Sequence, residues 1–314
     1  MRALVIGGGG FAGHHLIERL SQNTGLDVFA TKLKGENAAE LFGVEYLELD
    51  ITDYNSTISV IDRVKPHFIY HLAAQSSAAL SWKLPQKTFE VNVGGTLNIL
   101  EAMKSQKSKG RLLFIGSGEQ YGGIIPECLP ISESCEMQPQ NIYALSKLTA
   151  ERLCLMYKQA HLIDVVCVRA FNHIGPLQNE GFVVSDFTKQ LVEIEKGLKE
   201  PIISVGNLKA VRDFTDVRDV VKAYILLMEK GFSGEVYNVG GTTVCEVKGI
   251  LDELIKLSGV KAEIITDKSK LRPIDIPEYY GDISKLIKDT GYSHEYELRQ
   301  TLRDTLYYWR KRVN

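Results

Sequence analysis

The chain has 314 residues, with 37 basic against 39 acidic side chains and a formal net charge of −2. That length supports a large core in one or two domains, and the even charge balance with no long basic run argues against nucleic acid or an anionic membrane as partner. No apolar run is long enough to predict a membrane span, and five scattered cysteines without a Cys-x-x-Cys pair predict reduced thiols in a cytoplasmic protein, with neither a zinc site nor a disulfide framework.

The opening residues Met1–Ile6 run straight into glycines and read as a first strand, not as a leader. Short apolar, β-branched runs at Ala3–Ile6, Val28–Thr31, Val44–Leu49, Phe68–Leu72, Leu112–Ile115 and Val165–Val168 predict strands. Helical patterns fall between them at Phe11–Ser21, Tyr54–Val64, Pro85–Ser105 and Ile142–Gln159. Such alternation predicts an α/β fold: a Rossmann-like, doubly wound parallel sheet covered on both faces. The adjacent pair His14-His15 points two ways on a helix, so it reads as a solvated helix start and not as a metal site.

The texture changes after Arg169. Asn172-His173-Ile174-Gly175-Pro176 is loop chemistry. A helix over Val183–Gly197, strands at Pro201–Val205 and Val236–Val239, and helices at Val217–Glu229, Lys248–Ser258 and Leu298–Arg312 follow. The division expected is a dinucleotide-binding domain over 1–170, with a returning segment at about 213–245, and a smaller interleaved α/β substrate lobe over 171–314.

Between the first strand and first helix stands Gly7-Gly8-Gly9-Gly10-Phe11-Ala12-Gly13. Glycines at this spacing permit a tight turn, backbone approach to a pyrophosphate, and close helix–strand packing. The helix N-terminus then offers free N–H groups and a positive dipole end to the phosphates. Strand–loop–helix context makes this a dinucleotide site. The second strand ends in Thr31-Lys32-Leu33-Lys34, with no carboxylate to oppose a 2′-phosphate, and Lys32 is placed to meet one. This favours NADP(H), with NAD(H) as the alternative. Asp50 closes the third strand, where it could accept from an adenine amine.

Tyr143 and Lys147 are four residues apart and share one helix face. A cation near a phenol favours phenolate and lowers its pKa, so Tyr143 is a candidate proton carrier for a substrate oxygen. Ser117 follows the strand Leu112–Ile115, at the carboxyl end where open α/β sheets hold ligands.

Together these residues resemble the extended short-chain dehydrogenase/reductase family, with His71-Leu72-Ala73-Ala74-Gln75 and Asn92-Val93-Gly94-Gly95-Thr96 extending the likeness over essentially the whole chain. The resemblance implies that Tyr143 gives or takes the proton, Lys147 assists it and binds the nicotinamide ribose, and Ser117 hydrogen-bonds the reacting oxygen. It implies that Gly7, Gly10, Phe11, Ala12, Gly13, Asp50, Ile51, Leu72, Ala73 and Ala74 line the dinucleotide. It also implies a homodimer through the helices Pro85–Ser105 and Ile142–Gln159.

Later segments are similar to the nucleotide-sugar branch: Asn172–Pro176, Gly181-Phe182-Val183, Arg212–Asp219 and Leu271–Pro277. They most resemble the GDP-4-keto-6-deoxy-D-mannose reductases, which implies hydride transfer to a 4-keto sugar giving GDP-D-rhamnose. Asn172, Val183 and Lys189 would then face the substrate. Arg212 and Arg272 are suited to its diphosphate, since a guanidinium forks onto phosphate oxygens. Glu119 matches the carboxylate of 4,6-dehydratases, so GDP-mannose 4,6-dehydratase and other nucleotide-sugar epimerases or dehydratases stand as the alternatives; a non-catalytic dinucleotide-binding sensor is a third.

Overall fold

The computed structural model describes residues 1–36, 40–123, 128–241, 243–270 and 276–314. Its first half runs β1 (Arg2–Ile6), α1 (Phe11–Leu20), β2 (Asp27–Lys32), β3 (Glu45–Glu48), α2 (Tyr54–Val64), β4 (Phe68–His71), α3 (Ala78–Lys83), α4 (Pro85–Phe89), α5 (Gly95–Ser105), β5 (Arg111–Ser117), α6 (Ile142–His161) and β6 (Val165–Ala170). The second half runs β7 (His173–Ile174), α7 (Val183–Glu195), β8 (Ile202–Val205), β9 (Val211–Asp213), β10 (Thr215–Asp216), α8 (Val217–Lys230), β11 (Val236–Val239), β12 (Val244–Glu246), α9 (Val247–Ser258), β13 (Glu263–Thr266), β14 (Glu278–Tyr279), α10 (Ser284–Thr290) and α11 (Leu298–Arg312).

Seven strands form one parallel sheet in the order β11-β6-β5-β4-β1-β2-β3. The chain winds outward from β1 through β2 and β3, then crosses back to β4 on the other side of β1. The order therefore reverses between β1 and β4, and a crevice opens at their carboxyl ends. Apolar strands serve this sheet because both faces are covered: every residue of β6 is buried. One face packs Leu16, Ile17, Val220 and Tyr224 of α1 and α8 against Val5, Val166 and Val168. The other packs Ile61, Ile99, Leu100 and Cys154 of α2, α5 and α6 against Leu4, Ile69 and Phe114. Each such side chain contributes about 1.5–3 kcal/mol by leaving water.

A separate cluster joins α7, α9 and α11 to β8 through Phe187, Leu191, Ile203, Ile250, Leu254 and Leu302. Two short sheets, β12-β9-β14 and β13-β8, lie on this side of the molecule. Among the described residues no helix is long and apolar enough to cross a membrane.

Two local expectations are corrected. The single helix expected over Pro85–Ser105 is interrupted by a π-helical turn at Glu90–Gly94. His15 is not solvated: it is 7% exposed, and its Nε2–H donates to the Pro176 carbonyl at 2.9 Å. Packing of the 171–178 loop on α1 explains the second, since Phe11 stacks on His173 with ring centroids 5.8 Å apart.

Candidate active site

At the crevice, Gly7 has φ +89°, and a Cβ there would stand 2.6 Å from the Ala73 amide nitrogen. A Cβ on Gly13 would stand 2.4 Å from the Gly7 carbonyl oxygen. No larger residue fits either place. Thr31 staples the loop to β2: its Oγ1 accepts from Gly7 N–H at 3.1 Å and its carbonyl from Gly8 N–H at 2.8 Å. Gly10 begins α1 without a side-chain cap, and the first turn has no acid. The opening N–H groups at Phe11, Ala12 and Gly13 and the helix dipole are thus left for an anion. Leu72 and Ala73 N–H both donate to the Ile6 carbonyl at 2.9 Å, which folds the Leu72–Ala73–Ala74 strand end beneath the glycines. A cradle of backbone donors that any Cβ would fill fits a dinucleotide pyrophosphate.

The adenosine side differs from the sequence reading. Thr31 is buried and used by the loop. Lys32 is paired with Glu40 at 2.6 Å, and that hydrogen-bonded carboxylate holds its ammonium above the usual lysine range. A carboxylate does stand here. Glu36 Oε1 lies 2.7 Å from where a Gly9 Cβ would be. The expectation of an acid-free strand end is corrected, because the turn at Gly35 brings Glu36 back over the loop. Asp50 is exposed and turned on itself: Oδ1 accepts from Thr52 N–H at 2.9 Å and Thr52 Oγ1–H at 2.8 Å, which keeps its carboxyl below the usual range. Ile51 is buried, and its Cδ1 fills the space beside Gly95.

Across the crevice, Ser117 ends β5 and caps the 3₁₀ turn Gly118–Tyr121. Its N–H donates to Gln120 Oε1 at 2.8 Å and its Oγ accepts from Glu119 N–H at 3.2 Å. Asn141 caps α6, with Oδ1 accepting from Ala144 N–H at 2.8 Å. Its Nδ2 meanwhile donates to Glu119 Oε2, also at 2.8 Å. One side chain therefore starts the helix that carries Tyr143 and Lys147 and holds Glu119 beside them. Tyr143 N–H donates to Ser81 Oγ at 3.1 Å, and Lys147 Nζ donates to the Ile115 carbonyl at 2.7 Å.

The electrostatics run against the simple phenolate picture. Burial is the largest influence on the Tyr143 hydroxyl and raises its pKa; Glu119 raises it further, while a hydrogen bond from Ser117 lowers it. Lys147 is turned to the Ile115 carbonyl, and burial lowers its own pKa to about 8. In the protein alone Tyr143 is a neutral phenol, a proton donor.

Of the residues expected to face a substrate, Asn172 is exposed, and Val183 is 37% exposed at the start of α7. Lys189 is engaged by Glu180 at 2.7 Å and Glu193 at 3.6 Å. Arg212 lies on β9, where Nη1 donates to the Val211 carbonyl at 2.7 Å and the Pro277 carbonyl at 3.3 Å. Arg272 lies outside the described residues.

Sequence reading gave no role to two organising residues. Asn92 sits in the π-helical turn, 2% exposed. Its Oδ1 accepts from Gln75 N–H at 2.8 Å, and its Nδ2 donates to the Gln75 carbonyl at 3.1 Å and to Ser146 Oγ at 2.9 Å. It thereby ties the loop after β4 to α6, one residue from Lys147. An amide inside a mostly apolar helix pattern is the signal that points to it. Asn141, an N-cap residue type directly before a helical run, carried the other.

The chain matches the family model described as GDP-mannose 4,6 dehydratase over residues 4–305. It is 36% identical over 248 residues to a GDP-6-deoxy-D-mannose reductase of Pseudomonas aeruginosa, covering 79% of this chain and 82% of that one. It is 30% identical to a GDP-6-deoxy-D-talose 4-dehydrogenase of Aggregatibacter actinomycetemcomitans, covering 98% and 97%. In structure it resembles RMD from Pseudomonas aeruginosa complexed with NADPH, with a TM-score of 0.88 at 32% identity over all of both chains. A UDP-glucose 4-epimerase of Thermotoga maritima solved with UDP-glucose gives 0.91 at 27% identity, again over both whole chains.

Proposed function

The chain belongs to the GDP-mannose 4,6 dehydratase family of extended short-chain dehydrogenase/reductases, and we propose that it is an NAD(P)H-dependent reductase of a 4-keto-6-deoxy nucleotide sugar, turning GDP-4-keto-6-deoxy-D-mannose into GDP-D-rhamnose. The observation that carries this reading is the placement of Ser117 at the end of β5 and of Tyr143 and Lys147 on the helix that Asn141 starts, at the same sheet edge as the glycine cradle. When bound, the reduced nicotinamide supplies a hydride to the carbonyl carbon. Tyr143 O–H then gives its proton to the carbonyl oxygen as negative charge develops there. Ser117 O–H donates a second hydrogen bond to the same oxygen. Lys147, whose Nζ donates to the Ile115 carbonyl, is the residue that would bind the nicotinamide ribose, as the family relation implies. Asn172 and Val183 border the sugar, and Arg212 and Arg272 are assigned to the diphosphate; Lys189 would have to leave Glu180 to reach it.

A second reading, GDP-mannose 4,6-dehydratase, draws on one observation: Asn141 fixes the Glu119 carboxylate close enough to Tyr143 to disfavour its ionisation. Two incubations separate them. The reductase oxidises nicotinamide stoichiometrically with GDP-4-keto-6-deoxymannose and leaves GDP-mannose untouched. A keto sugar formed from GDP-mannose without added reductant overturns it in favour of the dehydratase. Cofactor binding without turnover of any 4-keto sugar supports a sensor instead.

The protein is further read as a cytoplasmic homodimer. Cys135, Cys154, Cys167 and Cys245 are free thiols, as a reducing compartment allows. On α6, one of the two helices the family relation assigns to the dimer, Leu145 and Met156 are 41% and 62% exposed. Light scattering is expected to give twice the chain mass, and Leu145→Arg with Met156→Arg to give the monomer; a wild-type monomer overturns this.

A further inference from the structure

We infer that Glu36 selects the cofactor and makes this protein prefer NADH over NADPH. The inference rests on the reading above only in requiring a dinucleotide in the glycine cradle. In doubly wound sheets the pyrophosphate lies at the first helix N-terminus, and an acid some twenty residues on, past the second strand, takes the adenosine ribose hydroxyls. Here the acid comes from the turn after β2. Glu36 N–H donates to the Leu33 carbonyl at 3.0 Å, and Glu36 Oε2 accepts from Leu33 N–H at 2.8 Å. These two bonds close the turn through Gly35, whose φ is +76°. The carboxylate is thereby laid on the glycine loop, its Oε1 and Cδ at 2.7 and 2.9 Å from an ideal Gly9 Cβ.

The cation that sequence alone offered to a 2′-phosphate is occupied. Lys32 Nζ is bound to Glu40 at 2.6 Å, with Glu48 and Glu36 adding to the negative field around it. A ribose diol can donate to the Glu36 carboxylate, a charge-assisted bond. A 2′-phosphate in the same place would set two anions against each other, with Lys32 already neutralised. Lys34 is the remaining basic residue of this turn and is exposed.

Calorimetric titration of the full chain with NADH and with NADPH tests this without any sugar. Wild-type protein is expected to bind NADH about tenfold or more tightly than NADPH, the scale of one hydrogen bond to a charged group. Glu36→Gln keeps the side-chain length and removes the charge; it is expected to shrink that ratio severalfold, mainly by tightening NADPH. Since Glu36 is exposed, the variant should melt with the wild type. Equal or tighter binding of NADPH by the wild type overturns the inference, as does a ratio unmoved in Glu36→Gln. Failure of both nucleotides to bind overturns the cradle and the reductase reading together. Selective NADH binding with no reduction of a 4-keto sugar upholds Glu36 and overturns only the proposed reaction.

Discussion

In the proposed reaction Tyr143 carries the greatest chemical weight of any single side chain. As a neutral phenol it can protonate an alkoxide, and Phe in its place keeps the ring but removes the proton. Tyr143→Phe is expected to lower turnover by about two to four powers of ten, with cofactor affinity measured by titration largely unchanged; undiminished turnover would remove Tyr143 from the reaction. Beneath the site, His71 is 2% exposed, its Nε2 bonded to Thr96 Oγ1 at 2.9 Å. Burial first, then the Lys147 charge, lowers its pKa to about 3. Between that value and the ordinary 6.5 the unfolded chain binds the proton that the folded one refuses, so stability falls as pH drops through this window. The His71 share of that loss from pH 7 to pH 5 is about 2 kcal/mol. Asp213 works oppositely, since burial raises its carboxyl to about 7 and the folded state then gains the proton first. The measurable quantity is therefore a difference. Denaturant melts of His71→Gln should show a smaller loss, or a larger gain, of stability on acidification than the wild type; identical pH responses would mean His71 is not held neutral. Ser117, Tyr143 and Lys147 stood out in the chain because the proposed chemistry demands those residue types at that spacing. Glu36 and the Ile115 carbonyl were not, since both depend on where a turn or a strand end arrives in space.

Among elements, α6 and the turns around its start decide whether the site is assembled. Asn141 satisfies the helix N-terminus and holds Glu119 with the same amide. Asn141→Ala is expected to cost about 1 kcal/mol of stability, the usual worth of an N-cap, and to release Glu119, so that activity falls by more than the stability loss explains. Asn141→Asp tests the division of labour: it keeps an Oδ acceptor for Ala144 N–H but sets a carboxylate against Glu119. Near-wild-type stability with reduced activity is expected, and full activity in both variants would deny Asn141 a positioning role. Strands and helices of the first half follow from the alternation of apolar runs with helical periodicity. The π-helical turn at Glu90–Gly94 does not, because one extra residue in a helix leaves no mark on composition. Short elements such as β7 and β10, two residues each, are set by tertiary pairing, here Thr215 against His173, and lie below the reach of periodicity.

For the molecule as a whole, one buried ion pair joins what the chain separates. Arg169 of β6 donates from Nη2 to Glu151 Oε1 on α6 at 2.7 Å and from Nε to Oε2 at 2.9 Å. Nη1 reaches the Tyr121 hydroxyl at 2.8 Å, and that hydroxyl donates to Asn238 Oδ1 of β11 at 2.7 Å. Both ions are nearly sealed from water, at 4% and 0% exposure, so removing one leaves the other stranded. Arg169→Met is expected to lower unfolding free energy by about 3–5 kcal/mol, whereas a Glu151→Met, Arg169→Met pair recovers much of it. A small loss in the single variant would show the pair to be hydrated. The doubly wound sheet and its crevice were legible from the order of elements; the second half was less so, since Arg212 finds a partner in Pro277, 65 residues on, that sequence distance conceals.

Reduction at a sugar carbonyl leaves the cofactor's hydride on carbon, where deuterium makes it visible. GDP-4-keto-6-deoxy-D-mannose is incubated with the protein and NADH carrying deuterium at the transferring carbon, and the sugar is read by NMR. One deuterium at C4 of GDP-D-rhamnose is expected for each cofactor oxidised. A reduced sugar without deuterium at C4, or a keto sugar left unreduced while the labelled cofactor stays intact, would contradict the proposed reaction.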